Sequence, residues 1–516
     1  MRVSTIRTIA ALAIAFVSVP APGQHSFAQQ HSELWGRDGD AWSPTSRLPD
    51  FSYAGYRRGE QPIPNRDVDV TVKEFGAVGD GLTDDTAAFR EAIRQSPGRV
   101  IGIPAGEYLI TDIIEITRSG TVLQGEGPRK SVLRFTRPLN AVRPNWGHTT
   151  TGRPTSNYSW SGGFLWVKGD DASTLDCPVR AAAHRGATSL VIDGAESVRV
   201  GDAIVLSQSE IADDSLTHHL YAGDPGPIEN LKHRLSTNFH ARVTKVDPGS
   251  GTIHLDRPLR TDVRLHWEPV VRRSDDPLQE VGIERIGFEF PNLPYQGHFT
   301  ESGFNAIAIS KAEHGWVRDV RIDNADSGIF VHATNITLQG IRIDSARSPE
   351  PSRSATGHHG VTLGGQDNLL TEFDIRTRFM HDITVSRSSA GNVAMKGKGV
   401  DLCFDHHRHA PHANLFTELD LGQGSRMFQS GGGRALGRHS AAWSTFWGIE
   451  SRQGQSWPEG WGPDHMNMVG FESDEPPQTD ASGRWFEPIS PQRLSPRNLY
   501  EAQRRRRLAE AAARES

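Results

Sequence analysis

The chain has 516 residues, with 52 glycines, 31 prolines, two cysteines and a formal net charge of -6. So few cysteines exclude a disulfide framework, although a single bridge between Cys177 and Cys403 stays open. A net acidic chain gives no case for nucleic acid as a partner, and the length admits either several domains or one long solenoid.

Residues 1–28 have the pattern of an export signal. Arg2 and Arg7 precede an apolar run from Ile9 to Val19, then Pro20, Pro22 and Gly23. Ser26 and Ala28 supply the small residues expected before a cleavage after Ala28. The expected location is secreted or periplasmic. No later run approaches the roughly 20 apolar residues that span a membrane. Residues 29–68, rich in Pro, Ser, Gly and charge, are expected to lie over the surface as an arm.

Residues 69–181 open with the most specific motif of the chain. Phe75 to Thr86 reads FGAVGDGLTDDT and leads into a short amphipathic helix whose apolar face is Phe89, Ala92 and Ile93. IPAGEYLI follows from Ile103 to Ile110, then LQGEG from Leu123 to Gly127. Such a strand, loop and helix would cover the open end of a solenoid, whose first coil otherwise exposes its core. These phrases closely resemble the start of the pectate-lyase-like superfamily of right-handed β-helix proteins. That group includes rhamnogalacturonase-type hydrolases, lyases, epimerases and phage tailspike depolymerases. The match spans Val70 to Phe135, and the later coils agree with it only in period. The resemblance implies a fold and not a reaction. Asp80, Asp84 and Asp85 are expected to serve turns and caps.

Residues 182–275 break the pattern. Alternating runs around Val246-Asp247-Pro248-Gly249-Ser250-Gly251-Thr252 indicate hairpins, and hence a small inserted β-domain. A loop within it holds His218, His219, Tyr221 and Asp224, placed either to wall a groove or to shield the solenoid.

Residues 276–450 repeat about every 22 residues as short strands with no intervening helix. The expected fold is all-β, a single-stranded right-handed parallel β-helix with an N-terminal capping helix and the inserted β-domain. Residues 451–516, where Trp457, Trp461 and Trp485 lie among Gly and Pro, are expected to form an irregular cover and tail.

The coils carry an unusual polar cluster. Asp401 to His412 reads DLCFDHHRHAPH, with two carboxylates, one guanidinium and four imidazoles. Aligning the strands puts Ile329, Val361, Ile383, Leu402 and Met427 in one inward column. Asp382, Asp401 and Arg426 then become outward neighbours on successive coils, about 4.8 Å apart. Two carboxylates that close call for a proton, a cation or an arginine between them. At the far strand end the column holds His332, Gly364, Ser386, Asp405 and Ser430. His359 pairs with His381, and Asp405 to Arg408 turn outward as a reactive edge. Cys403 is expected to face outward beside them.

Two reactions compete for these residues. β-Elimination on a uronate needs a carboxylate neutralised, the C5 proton removed and the leaving oxygen protonated. Arg387, Arg408 or Arg426 would bind the carboxylate and His381, His406 or His407 would act as base, with His332 and His359 in the substrate groove. Asp382, Asp401 and Asp405 would orient the histidines or hold Ca2+. In glycoside hydrolysis the Asp382/Asp401 pair would flank the bond, near the retaining separation of about 5–5.5 Å. Residues 376–438 hold nine Lys or Arg against five Asp or Glu, which suits an extended acidic polysaccharide. The preponderance of His and Arg over carboxylates favours the lyase over the hydrolase. An epimerase or a non-catalytic polysaccharide-binding protein are the further alternatives. Zinc on His406, His407, His409 and His412 is a weaker expectation, since adjacent strand residues diverge.

Overall fold

The computed structural model describes residues 28–149, 151–170, 173–211, 213–274 and 277–515. The expected export signal falls on residues 1–28, which apart from Ala28 lie outside them. Strands one coil apart pair in parallel and stack along three ladders. The first climbs from Val70–Thr71 through Val100–Ile103, Val122–Gly125, Gly282–Glu284, Trp316–Asp323 and Thr337–Asp344. A second holds Asp80–Asp84, Gly106–Ile110, Ser131–Phe135 and Gly287–Glu289, and meets the first where Trp316–Asp323 is long enough to serve both. The third runs through Ile114–Ile116, Leu165–Lys168, Asn305–Glu313, Ser327–Thr334, Gly357–Leu363, Phe379–Val385 and Phe404–His406. The result is the expected parallel β-helix, with one apolar core enclosed by the ladders.

Sequence dictates this stacking in two ways. Aliphatic residues two apart fill the interior, with Ile329, Val361 and Ile383 superposed on successive coils. Asparagines at the turns tie coil to coil. Asn368 donates to Asn392 Oδ1 at 2.9 Å, and Asn392 to Asn414 Oδ1 at 2.9 Å. Each side-chain oxygen also accepts a turn N–H of the preceding coil, at 3.0 and 3.2 Å, so polar backbone buried at the corner is satisfied.

The opening motif caps the helix end as expected. Helix Thr86–Gln95 buries Phe89, Ala92 and Ile93 over the first coil. Asp85 accepts the backbone N–H groups of Val78 and Gly79 at 2.6 and 3.1 Å, which fixes the loop before the helix. Asp80 and Asp84 likewise serve local turns.

The insertion is a six-stranded antiparallel sheet with its own core. Its first strand, Ser173–Pro178, lies ahead of the expected start at 182 because it pairs with the last, Val270–Ser274. Arg257 and Arg260 of the insertion both reach Asp367 on the coils, and all three side chains are buried. The loop with Tyr221 packs inward, where the Tyr221 hydroxyl accepts from Ala410 N at 2.9 Å. His219 lies beside Trp267 and Trp443.

Beyond residue 450 the coils do not give way to irregular chain. Asn467–Val469 and Trp485–Glu487 add two parallel rungs, and helix Leu499–Glu515 follows. Trp457, Trp461 and Trp485 are all buried in the core. In the arm, Leu34, Trp35, Leu48 and Phe51 pack with Val393, Leu415, Trp447, Leu499 and Tyr500. Both cysteines are free and buried. Among the described residues no helix is long and apolar enough to cross a membrane.

Candidate active site

The register at the polar cluster differs from the expected one by two residues. Ile383 pairs with Phe404, Thr384 with Asp405 and Val385 with His406, so Phe404 rather than Leu402 continues the inward column. Asp401 belongs to the preceding turn, where it bridges Gly422. A shift of two preserves the side-chain parity, so Leu402 and Phe404 both still reach the core.

This displacement takes Asp401 off the strand ladder that carries Asp382. Asp382 accepts from Phe379 N and Cys403 N, each at 2.9 Å, and from the Arg426 guanidinium. Asp401 accepts from Ser425 N at 2.8 Å and Ser425 Oγ at 2.6 Å, and pairs with Arg378 at 3.0 Å. Arg426 also donates to the Asp401 carbonyl at 2.8 Å. The counter-cation called for by two close carboxylates is thus a guanidinium. Asp382 and Asp401 are closed off from solvent, and their oxygens are committed to donors. They fit neither a bound Ca2+, which needs oxygens turned toward it, nor an exposed pair flanking a glycosidic bond. Cys403 is buried with them, and burial first, then the Asp382 charge, pushes its thiol well above the ordinary range. It is therefore no outward nucleophile.

At the expected outward edge His407 and Arg408 are part-exposed, while Asp405 lies buried beneath His407. Asp405 has no exposed surface and four partners: Gly431 N at 2.7 Å, Thr384 Oγ1 at 3.1 Å, His407 Nδ1 at 2.9 Å and His381 Nδ1 at 3.4 Å. Burial alone would raise its pKa, but the two histidines and the Gly431 N–H hold it well below the usual carboxylate range. Asp405 is therefore an ionised carboxylate. On His407 burial opposes charge, yet the Asp405 carboxylate outweighs it and raises the imidazole pKa. The His407 side chain keeps 33% of its surface exposed. Because Nδ1 is held by Asp405, Nε2 is the atom available to an incoming molecule.

His406 departs from expectation. Val385 is its register partner, so its ring points into the core against Phe416, Phe446 and Trp461. Burial pushes its pKa down to about 3. It cannot act as a surface base. His409 and His412 do not join it in a cage either, since His412 turns its Nδ1 to the Ala410 carbonyl at 3.0 Å.

Around His407 the chain gathers positive charge. Arg387 is exposed in a left-handed turn with φ 52°, and Arg408 lies half-buried with Nη2 3.1 Å from His439 Nε2. Both guanidiniums act electrostatically on His407. His332 is exposed and its ring overlies Gly364, where a Cβ would come within 2.3 Å of Nδ1. His359 is buried, with Nδ1 3.1 Å from Thr384 Oγ1. His381 is also buried, and burial pushes its pKa down to about 3.

Sequence reasoning missed four members of this neighbourhood. His358 stands beside His359 in the Gly357–Leu363 strand, with ring centroids 4.1 Å apart. Tyr295, His298 and Glu301 come from the long connection between Glu289 and Asn305, which folds back over the third ladder. Glu301 accepts from the Tyr295 hydroxyl and lies 3.4 Å from His358 Nδ1. Burial raises its pKa to about 7. The signal available was the density of Tyr, His and Glu in an interval too long for a turn.

With this geometry in view, residues 70–150 match the model of the family described as rhamnogalacturonase A/epimerase, pectate lyase-like. The opening segment is similar to that family. A preneck appendage protein of Bacillus phage PZA is 42% identical over 66 residues, covering 13% of this chain and 7% of that protein. A mannuronan C5-epimerase of Azotobacter vinelandii is 31% identical over 103 residues, covering 18% of this chain and 7% of its own length. The chain thus spans less than a tenth of these two curated relatives. Among solved structures, the tailspike protein gp49 of Pseudomonas phage LKA1 aligns over 77% of this chain and 64% of its own, at 11% identity and TM-score 0.41. The likeness to that family is thus carried by the opening segment, and the reaction rests on the site.

Proposed function

We propose that the chain is an exported polysaccharide lyase that cleaves a uronate-containing polymer by β-elimination. The observation that carries this reading is the half-exposed His407 imidazole, held at Nδ1 by the buried, ionised Asp405. Such a pair fixes the tautomer that leaves Nε2 unprotonated and facing substrate. Nε2 removes the proton at C5, and the electron pair forms the C4–C5 double bond. The C4–O bond breaks, and the leaving oxygen takes a proton from solvent. Arg387 and Arg408 would offset the uronate carboxylate, whose neutralisation makes the C5 proton removable. The apolar run Ile9–Val19 supports export to where such polymers are met.

The name of the mannuronan C5-epimerase relatives fits the same first step, since epimerisation at C5 also begins with proton removal there. Hydrolysis is less well supported, because Asp382 and Asp401 are committed to Arg426 and Arg378. The test is incubation with acidic and neutral polysaccharides, following ultraviolet absorbance of unsaturated uronate together with reducing ends. Both signals on an acidic polymer are expected. Reducing ends without absorbance would replace elimination by hydrolysis. Deuterium uptake at C5 from heavy water without either signal would replace it by epimerisation. Binding with none of these would leave a non-catalytic receptor.

A further inference from the structure

Beside the His407–Asp405 pair lies a second cluster, which touches it through His381 alone and has no part in the proposed proton removal. His298, His358 and His381 each offer a ring nitrogen, and these three atoms lie within 4.8 Å of one another. They come from three separate coils of chain: the connection before Asn305, the Gly357–Leu363 strand and the Phe379–Val385 strand. His358 and His381 are each only 1% exposed. Neither ring nitrogen of either residue makes a hydrogen bond, and His298 Nε2 is likewise buried without a partner. Five buried ring nitrogens on three adjacent histidines therefore make no hydrogen bond, and for three of them, His298 Nε2, His358 Nε2 and His381 Nε2, no carboxylate stands in its place.

That is costly for a protein interior. A buried polar group without a partner forfeits about 1–3 kcal/mol, and folded chains rarely leave several together. Structural histidines in a core normally find a carbonyl, as His406 does with Phe404 and His412 with Ala410 in this same chain. The cluster lacks that solution. What it has instead is a carboxylate beside each buried ring: Asp405 Oδ2 lies 3.4 Å from His381 Nδ1, and Glu301 Oε1 lies 3.4 Å from His358 Nδ1. A carboxylate behind an imidazole is the outer-shell arrangement that orients a metal-binding histidine and raises its basicity.

We propose that His298, His358 and His381 form a binding site for a divalent transition-metal ion, with Zn2+ the best match. Three imidazoles make a borderline ligand set that suits Zn2+, Ni2+ or Co2+, whereas Ca2+ and Mg2+ take oxygen. Burial keeps these rings neutral, the form that ligates. Tetrahedral Zn2+ with bonds of about 2.1 Å holds its nitrogens about 3.4 Å apart, so the rings must draw together by about an ångström. His298, half-buried and on an irregular connection, is the one not held in a strand. The fourth position then opens next to His407, whose ring centroid is 5.2 Å from that of His381. This inference stands on the imidazoles alone and does not depend on which polymer, if any, is cleaved.

The test uses the full chain, stripped with a chelator and titrated with Co2+ and Zn2+ in the absence of polysaccharide. One Zn2+ per chain is expected, with Co2+ giving the visible ligand-field bands of a nitrogen-rich site, and no comparable binding of Ca2+. His298→Ala should weaken binding by more than about tenfold, the scale on which even outer-shell changes act. It should keep the circular dichroism of the parent, because that side chain is not deep in the core. His332→Ala, exposed and outside the cluster, should bind as the parent does. Absence of stoichiometric binding, or binding unchanged in His298→Ala, overturns the proposal. His358→Gln adds a second ligand to the test, and if it fails to fold, His298→Ala decides alone. A chain that binds the ion but cleaves nothing keeps this site and loses the lyase reading. A chain that forms unsaturated uronate but binds no ion does the reverse.

Discussion

Asp405 Oδ2 lies 2.9 Å from Nδ1 of His407, and the two stand in different environments: the carboxylate is wholly buried, the imidazole half-exposed. That asymmetry lets a fixed negative charge act on a ring that solvent and substrate can reach. Asp405→Asn keeps the shape but removes the charge and the tautomer preference. Turnover should fall about 100-fold or more with little change in KM, measured as the initial rate of product formation at saturating polymer. An equal loss in KM would instead mark Asp405 as a binding residue.

Arg387 and Arg408 are read as the groups that meet the substrate's negative charge. Arg387→Ala, on an exposed turn, should raise KM several-fold while leaving the melting temperature unchanged. The parent's KM should rise with salt, and the variant's should rise less steeply, since one screened attraction is gone. Steady-state kinetics at low and high ionic strength checks both.

Arg426 joins Asp382 and Asp401 in a closed network. Arg426→Met would strand the buried Asp382 carboxylate, while Asp401 keeps Arg378, and stability should fall by about 3–5 kcal/mol, read from denaturant midpoints. If these carboxylates were catalytic rather than structural, the variant would lose activity with its stability intact.

Asp367 couples the insertion to the coils through Arg257 and Arg260. Burial would raise its pKa, but the two guanidiniums outweigh burial and depress it. A carboxylate depressed in the folded state contributes stability that is present above its unfolded pKa, about 3.9. That contribution is lost as pH falls through the folded value. The melting temperature should therefore be insensitive to this group from neutral pH down to about pH 5 and fall below about pH 4. Asp367→Asn should melt lower at neutral pH and show a shallower acid decline, measured by calorimetry across that range.

Much of the fold could be read from residues alone. Strand-period alternation and polar turns gave the solenoid, and the Phe75–Thr86 motif gave its cap, because both are local. The outward turn at His407 and Arg408 was legible for the same reason. Register was less so. Leu402 and Phe404 are both apolar with the same parity, so periodicity could not choose between them, and the choice took Asp401 off the ladder. His406 went inward because the strand continues through it, so that it shares the parity of Leu402 and Phe404. The two rungs after residue 450 were hidden because they are only three residues each, below the length at which alternation shows. His298, Tyr295 and Glu301 reach the site from a connection without regular structure, and no repeat places such residues.

The account stands or falls on His407 as the base. The decisive measurement is the rate of unsaturated-uronate formation by His407→Ala on the acidic polymer the parent cleaves, with folding verified by circular dichroism. A loss of about 100-fold or more, in a variant that still binds the polymer, is the predicted result. A folded His407→Ala that forms unsaturated product at the parent rate would contradict the account.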